Sequence, residues 1–284
     1  MKNLHPSRLL LFVLFAAIIS TSYNCQSTSQ KASQKLTYPE KVIKLDPAKA
    51  AELSEKIKQE VAVKVLEGLE LSLWASDSLV TDPIAISMDD KGGIYYTNAV
   101  RLENSEFDIR GHRDWMTESI SWQHVEDRRA FLRKELAPEN SEKNKSIVND
   151  LNEDGSHDWK DLLVEKETVW RVEDADGDGL ADQAKLYIED FHEEISDLAN
   201  GVEEHDGDVF IAVGPDLWRT TDTDGDGIAD KKESISHGWA VHIGFGAHGM
   251  SGVKVGPQGR IWWGIGDIGM NLSLIHISEP TRPY

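Results

Sequence analysis

A chain of 284 residues, 39% hydrophobic and 28% charged, has room for one large globular domain or two small ones. Its 50 acidic residues against 30 basic give a formal net charge of -20, which argues against nucleic acid as a partner because the phosphates would be repelled. The same charge concentrates cations around the protein or simply keeps it soluble, and a single cysteine excludes a disulfide framework.

Lys2 and Arg8 flank the start of an unbroken apolar run from Leu9 to Ile19. That run is short for a membrane span, so residues 1–25 read as a secretory signal. Cys25 lies just beyond it and resembles the lipid-acceptor residue of bacterial lipoproteins, although Asn24 stands where a small residue is usual. The expectation is an exported protein, lipid-anchored to a bacterial membrane and facing the periplasm or the cell surface. The alternative is a soluble exported protein with an incidental Cys25. Residues 26–61 read as a polar tether followed by a short helix, with Asp46 as N-cap and Pro47 at the first helical position. Ala50, Leu53 and Ile57 would share one face of it.

From Val61 the period changes. Leu71, Leu73 and the stretch Gly93 to Asn98 have strand character, with a turn at Asp89 to Gly93. A polar segment of about 106–147 interrupts the strands, and Trp122, Val125, Leu132 and Leu136 predict a helix within it that ends near Pro138. After Val148 the sequence repeats itself: Val169 to Asp182 recurs as Leu217 to Asp230, with Trp170 and Trp218 48 residues apart. Gly207 to Val213 is echoed by Gly259 to Ile265, each a strand after a tight turn. A period of roughly 40 to 50 residues with strands and Gly-rich turns is the signature of propeller blades. The fold expected is therefore all-β: a partial β-propeller over 62–271, with calcium-binding blade loops and a helical insertion. Leu272 to Arg282 looks like a translated sequencing adapter, so residues 272–284 are expected to be non-native and the propeller a fragment.

Calcium takes several hard oxygen ligands from a short loop that bends back on itself. Asp174, Asp176, Asp178 and Asp182 occupy positions 1, 3, 5 and 9 of such a loop, and Asp222, Asp224, Asp226 and Asp230 repeat the spacing. The carbonyls of Leu180 and Ile228 would serve at position 7. Position 12, an acid in a full EF-hand, is Lys185 in the first loop and Glu233 in the second. Both loops therefore look more like the calcium hairpins of integrin-type blades. A third loop, Asp150, Asn152, Asp154, Asp158 and Asp161, resembles that of dockerin-type EF-hands. Acidic turns that stay empty are the alternative.

The Gly- and aromatic-rich segment Gly244 to Gly269 resembles the core motif of soluble quinoprotein glucose and sorbosone dehydrogenases, which are propellers. His248, Gly256, Pro257, Trp262, Trp263, Gly266, Asp267 and Gly269 follow that family's order, although Gly252 falls one residue late. The resemblance implies His248 as a general base taking a substrate hydroxyl proton, Asp267 as the group orienting it, and hydride transfer to a quinone such as pyrroloquinoline quinone. The alternative is a turn histidine bonded to a backbone carbonyl, and His242 is a weaker candidate for the base. Taken together, Leu66 to Asn98, the Asp-Gly-Asp-Gly hairpins and the His248 region resemble the N-terminal domain of membrane-bound dehydrogenases of planctomycete-type bacteria. Those proteins often carry haem c farther on, but no Cys-x-x-Cys-His occurs in this chain. The activity implied is oxidation of a sugar or other alcohol, with electrons passed to an acceptor such as a c-type cytochrome. Its rival is a non-catalytic calcium-stabilised propeller that binds glycan or protein.

Overall fold

Two short N-terminal strands, β1 (Gln34–Lys35) and β2 (Val42–Lys44), precede helix α1 (Pro47–Glu60) in the computed structural model, which describes residues 34–36, 40–61, 63–102 and 104–271. The signal segment, Cys25 and the tail 272–284 lie outside the described residues. Asp46 caps α1 as expected, its carboxylate accepting from the amides of Ala48 and Lys49 at 3.0 and 3.3 Å. The expected apolar face holds: Ala50 and Ser54 are buried and Leu53 and Ile57 half-buried. Leu71 and Leu73, expected in a strand, form none. Leu71 is exposed, the Leu73 carbonyl accepts from the Ser54 hydroxyl of α1, and the Trp74 carbonyl accepts from the Ala181 amide. The backbone there is engaged by a helix and a loop rather than by a ladder.

The next four strands, β3 (Pro83–Met88), β4 (Ile94–Asn98), β5 (Glu167–Glu173) and β6 (Gln183–Asp190), lie side by side in chain order and are all antiparallel. β7 (Gly201–His205), β8 (Asp208–Val213), β9 (Asp216–Thr221) and β10 (Lys231–His237) form a second sheet of the same order. β11 (Met250–Val255) and β12 (Ile261–Ile265) pair with each other. The sequence repeat thus corresponds to the outer hairpins β5–β6 and β9–β10, and the echo at Gly207 and Gly259 to β8 and β12. β2 adds a fifth strand beside β6, and β1 one beside β10. Among the described residues the fold is mostly antiparallel sheet with few helices, and no sheet closes into a barrel. No helix there is long and apolar enough to cross a membrane.

The first strands of the sheets stack on one another. Ser87 of β3 donates its hydroxyl to Glu203 of β7 at 3.0 Å and accepts from the Glu204 amide at 3.1 Å. A methyl on Gly201 of β7 would meet Val253 of β11 at 2.9 Å, so β7 lies between β3 and β11. β8 is correspondingly buried on both faces: Val209, Ile211 and Val213 pack with Tyr187, Ile188 and Trp218, while Phe210 and Ala212 pack with Met250 and Val253. That explains its unbroken apolar run, and each such large side chain contributes roughly 1.5–3 kcal/mol by leaving water.

Residues 99–166, between β4 and β5, include the expected insertion and its helix, α2 (Val125–Glu135). The insertion has its own core of Trp115, Trp122, Val125, Leu132, Leu136 and Leu162, closed by Ile195, Val241 and Ile243 from outside it. This core seats the insertion against the turns at the start of β7 and ahead of β11.

Candidate functional site

The Asp-rich loops sit at the tips of the outer hairpins. Ligand oxygens of Asp174, Asp176 and Asp178 all lie within 4.8 Å of one another, and those of Asp222, Asp224 and Asp226 do the same. These are the two such groups among the described residues. The loops curl because backbone amides turn onto the first carboxylate: Gly177 and Gly179 donate to Asp174 at 2.7 and 2.8 Å, and Gly225 and Gly227 to Asp222 at 2.8 and 2.7 Å. All four glycines have positive φ, between 79° and 94°, where a side chain would be strained. Leu180 and Ile228 donate their amides to Asp178 and Asp226, each at 2.8 Å. Asp182 and Asp230 stand outside the three-carboxylate groups and close each loop by accepting from the Ala175 and Thr223 amides at 2.8 and 3.3 Å.

Loss of solvation raises the Asp176 pKa, and the neighbouring charges of Asp178, Asp182 and Asp174 add to it. A cation among three hard oxygens would relieve that repulsion, so the donor set fits calcium. The third loop is assembled differently. Asp161 spends its oxygens on the Leu151, Asn152 and Asp158 amides at 3.0, 3.2 and 2.8 Å, while Asp150 and Asn152 accept from the Asp154 amide at 3.1 and 2.9 Å. Asp158 is fully buried, with Lys160 Nζ 3.6 Å from its Oδ2.

His248 and Asp267 are brought together at the ends of β11 and β12. His248 Nδ1 lies 3.5 Å from Asp267 Oδ1, long for a hydrogen bond but within ion-pair range, and the two side chains are 58% and 40% exposed. Asp267 Oδ2 accepts from the Phe245 amide at 3.1 Å, which fixes the carboxylate. The exposure of both side chains leaves the pair open to solvent, and a histidine beside a carboxylate is a pairing suited to proton transfer. His242 is braced instead: its Nδ1 lies 2.7 Å from the Ser119 carbonyl, and its amide donates to Ile268.

Several neighbours of His248 carried no motif in the sequence. Asp108 accepts from the Gly246 amide at 3.1 Å and pairs with Arg110, whose guanidinium lies 4.9 Å from the Phe245 ring centroid. That guanidinium holds the Asp108 carboxyl well below the usual range. Glu106 accepts from the Ala247 amide, and burial followed by the charge of Asp197 pushes its pKa up to about 7. Asp197 is buried and paired with Arg128 at 3.0 Å, and Asn200 donates to the Ala247 carbonyl at 3.4 Å. Locally the residues alternate, acidic 106 and 108 facing the His248 loop while Phe107 and Ile109 are buried in the insertion core, but a pattern this short does not say which loop the acids meet.

Residues 55–280 match the family model of a domain of unknown function, DUF7133, and the chain belongs to that family. No curated protein and no solved structure matches the chain.

Proposed function

We propose that this member of the DUF7133 family is the N-terminal part of an exported, lipid-anchored propeller dehydrogenase that oxidises a sugar or other alcohol. Support for the propeller comes from two successive four-stranded meanders followed by the β11–β12 hairpin, with the first strands β3, β7 and β11 packed on one another. Calcium at the loops of Asp174 to Asp182 and Asp222 to Asp230 would hold the outer hairpins together by neutralising their carboxylates. The observation that carries the catalytic reading is the exposed His248 imidazole with Nδ1 turned to Asp267. In this reading Asp267 orients the ring and stabilises the imidazolium, and Nε2 takes the substrate hydroxyl proton. A redox group would supply the hydride acceptor. Haem c does not fit this stretch, since covalent attachment needs two thiols and the chain has one cysteine. A quinone's anionic oxygens would seek cations, and Arg110, the cation packed on Phe245, is already engaged by Asp108. The acceptor site is therefore assigned to neither of these residues, and a c-type cytochrome is the proposed onward partner.

A second reading draws on the openness of the same site, which suits a surface that binds glycan or protein without chemistry. The test is dye reduction by the exported protein, supplied with calcium and added quinone, across a panel of sugars and alcohols. Turnover that falls about 10²–10⁴-fold in His248→Asn supports the base assignment. No reduction with any substrate, alongside retained glycan binding, favours the binder.

A further inference from the structure

Three consecutive amides of the loop before His248 each donate to a different carboxylate. Phe245 N donates to Asp267 Oδ2 at 3.1 Å, Gly246 N to Asp108 Oδ2 at 3.1 Å, and Ala247 N to both oxygens of Glu106 at 3.2 Å. Successive N–H groups of this kind form a nest that attracts anions, and here the chain supplies the anions itself. Glu106 and Asp108 are held in place because Phe107 and Ile109 are buried and the Ile109 amide donates to the Gly244 carbonyl at 2.9 Å. Ala247 sits at φ 63°, the left-handed region that a residue with a side chain seldom adopts without support. The Glu106 carboxylate bonds that residue directly.

We propose that Glu106 is a positioning residue for His248: by clamping the Ala247 amide in this left-handed turn, it sets the direction in which the next side chain leaves the backbone and so aims the imidazole at Asp267. The purpose of the clamp rests on the catalytic reading of His248, but the clamp itself does not. Asp108 and Glu106 differ in how firmly they stay charged. Asp108 is locked as a carboxylate by Arg110. Around Glu106, Asp197 on the β6–β7 connection and Glu167 on β5 oppose its charge, while Arg128 on α2 and the Ala247 amide favour it. With a pKa near 7, Glu106 is charged and clamping above neutrality and neutral below it. A charge-assisted bond is roughly twice as strong as a neutral one, so the turn tightens as pH rises.

The experiment follows the backbone amide resonances of Gly246 and Ala247 in the full chain from pH 5 to 9, in a His248→Asn background so that the ring does not contribute. The Ala247 amide is expected to move with a midpoint near 7 while Gly246 does not, and Glu106→Gln should abolish the Ala247 transition. In the chain with His248 intact, the change that Asp267→Asn makes in the His248 ring-proton chemical shifts at fixed pH should shrink at least about twofold in a Glu106→Ala background and recover with Glu106→Gln, as for directly coupled groups. An Ala247 amide that does not titrate, or an undiminished His248–Asp267 coupling in Glu106→Ala, overturns the proposal. Neither readout needs turnover. An inactive protein with an intact clamp sinks only the dehydrogenase reading, and an active one without the clamp sinks only this proposal.

Discussion

Gly266 lies so close to the His248 backbone that a methyl on its Cα would sit 2.0 Å from the His248 carbonyl oxygen and 3.2 Å from its Cβ. The end of β12 and the loop carrying the candidate base are thus one packed unit. Gly266→Ala must displace that carbonyl, at a cost of about 1–3 kcal/mol for overpacking. Gly264→Ala, two residues earlier on the same strand, meets nothing closer than Ser251 Oγ at 3.6 Å and should be nearly neutral. Urea unfolding of both variants checks the difference. Equal stabilities would mean that the loop gives way freely and that His248 is not held by β12.

Calcium should bind with a stoichiometry of two. The two three-carboxylate groups are preformed, whereas Asp161 in the third loop is committed to backbone amides. Titration calorimetry of chelator-treated protein is expected to show two equivalents, one lost in Asp176→Asn and the other in Asp224→Asn. At calcium about 100 times the dissociation constant, each site adds about 2.7 kcal/mol of stability, visible as a higher melting temperature. Calcium binding by the double variant would move the assignment to the Asp150 loop.

The sequence repeat made the two outer hairpins legible, because Asp-Gly-Asp-Gly turns between apolar strands have few other ways to fold. Asp46 and Pro47 likewise marked the start of α1, since capping is a local event. Leu71 and Leu73 misled because strand character is only a local propensity, and the carbonyls of Leu73 and Trp74 are taken by Ser54 of α1 and by Ala181 rather than by a ladder partner. At the candidate site the resemblance of residues 244–269 to the quinoprotein motif implied the pairing of His248 with Asp267, and the structure brings the two side chains to 3.5 Å. Glu106, Asp108 and Asn200 were not legible, because they approach from far along the chain and their role depends on a tertiary contact. The polar residues of the insertion could not be placed for the same reason: Arg128 and Arg129 pair with Asp197, Glu193 and Glu194, and Glu106 and Asp108 with the residue 245–248 loop, all distant in sequence.

Burial of Glu167 makes stability depend on pH. This side chain is fully buried, accepts from the Arg101 and Ala199 amides at 2.9 and 2.8 Å, and burial pushes its pKa up to about 7. A folded-state pKa raised from the ordinary 4.5 means that the native state binds the extra proton. Its stabilising contribution is therefore complete below about pH 4.5 and lost as pH rises through about 7, an effect of about 3 kcal/mol at most. Glu167→Gln mimics the protonated form, but its amide faces one backbone donor badly and so carries a constant penalty. The slope is the readout: stability of the variant minus that of the native chain should rise between pH 5 and 8 in chelator. A flat difference would mean that the two amides keep Glu167 ionised.

The N-terminal segment visits both sheets in the same register. Lys44 faces Gln183 on β6 and Lys35 faces Lys231 on β10, positions separated by the same 48 residues as the sequence repeat. Just beyond each strand, the Leu45 amide donates to the Asp182 carbonyl at 2.7 Å and the Leu36 amide to Asp230 at 2.8 Å. Two short Lys-Leu units thus cover the outer edges of two successive sheets, and both anchor on the residue that closes an Asp-rich loop. An uncovered β10 would present a row of free backbone groups to another molecule. Leu36→Pro removes one of these amides and should cost about 1–3 kcal/mol while freeing the β10 edge. Leu36→Ala keeps the amide and loses only side-chain packing in the core that Leu36 shares with Tyr187 and Trp218. Sedimentation and hydrogen exchange separate the two: the proline variant should associate beyond the native chain and expose β10 amides, and the alanine variant should sediment as the native chain does with them protected. If both behave alike, the segment contributes packing alone and does not guard the edge.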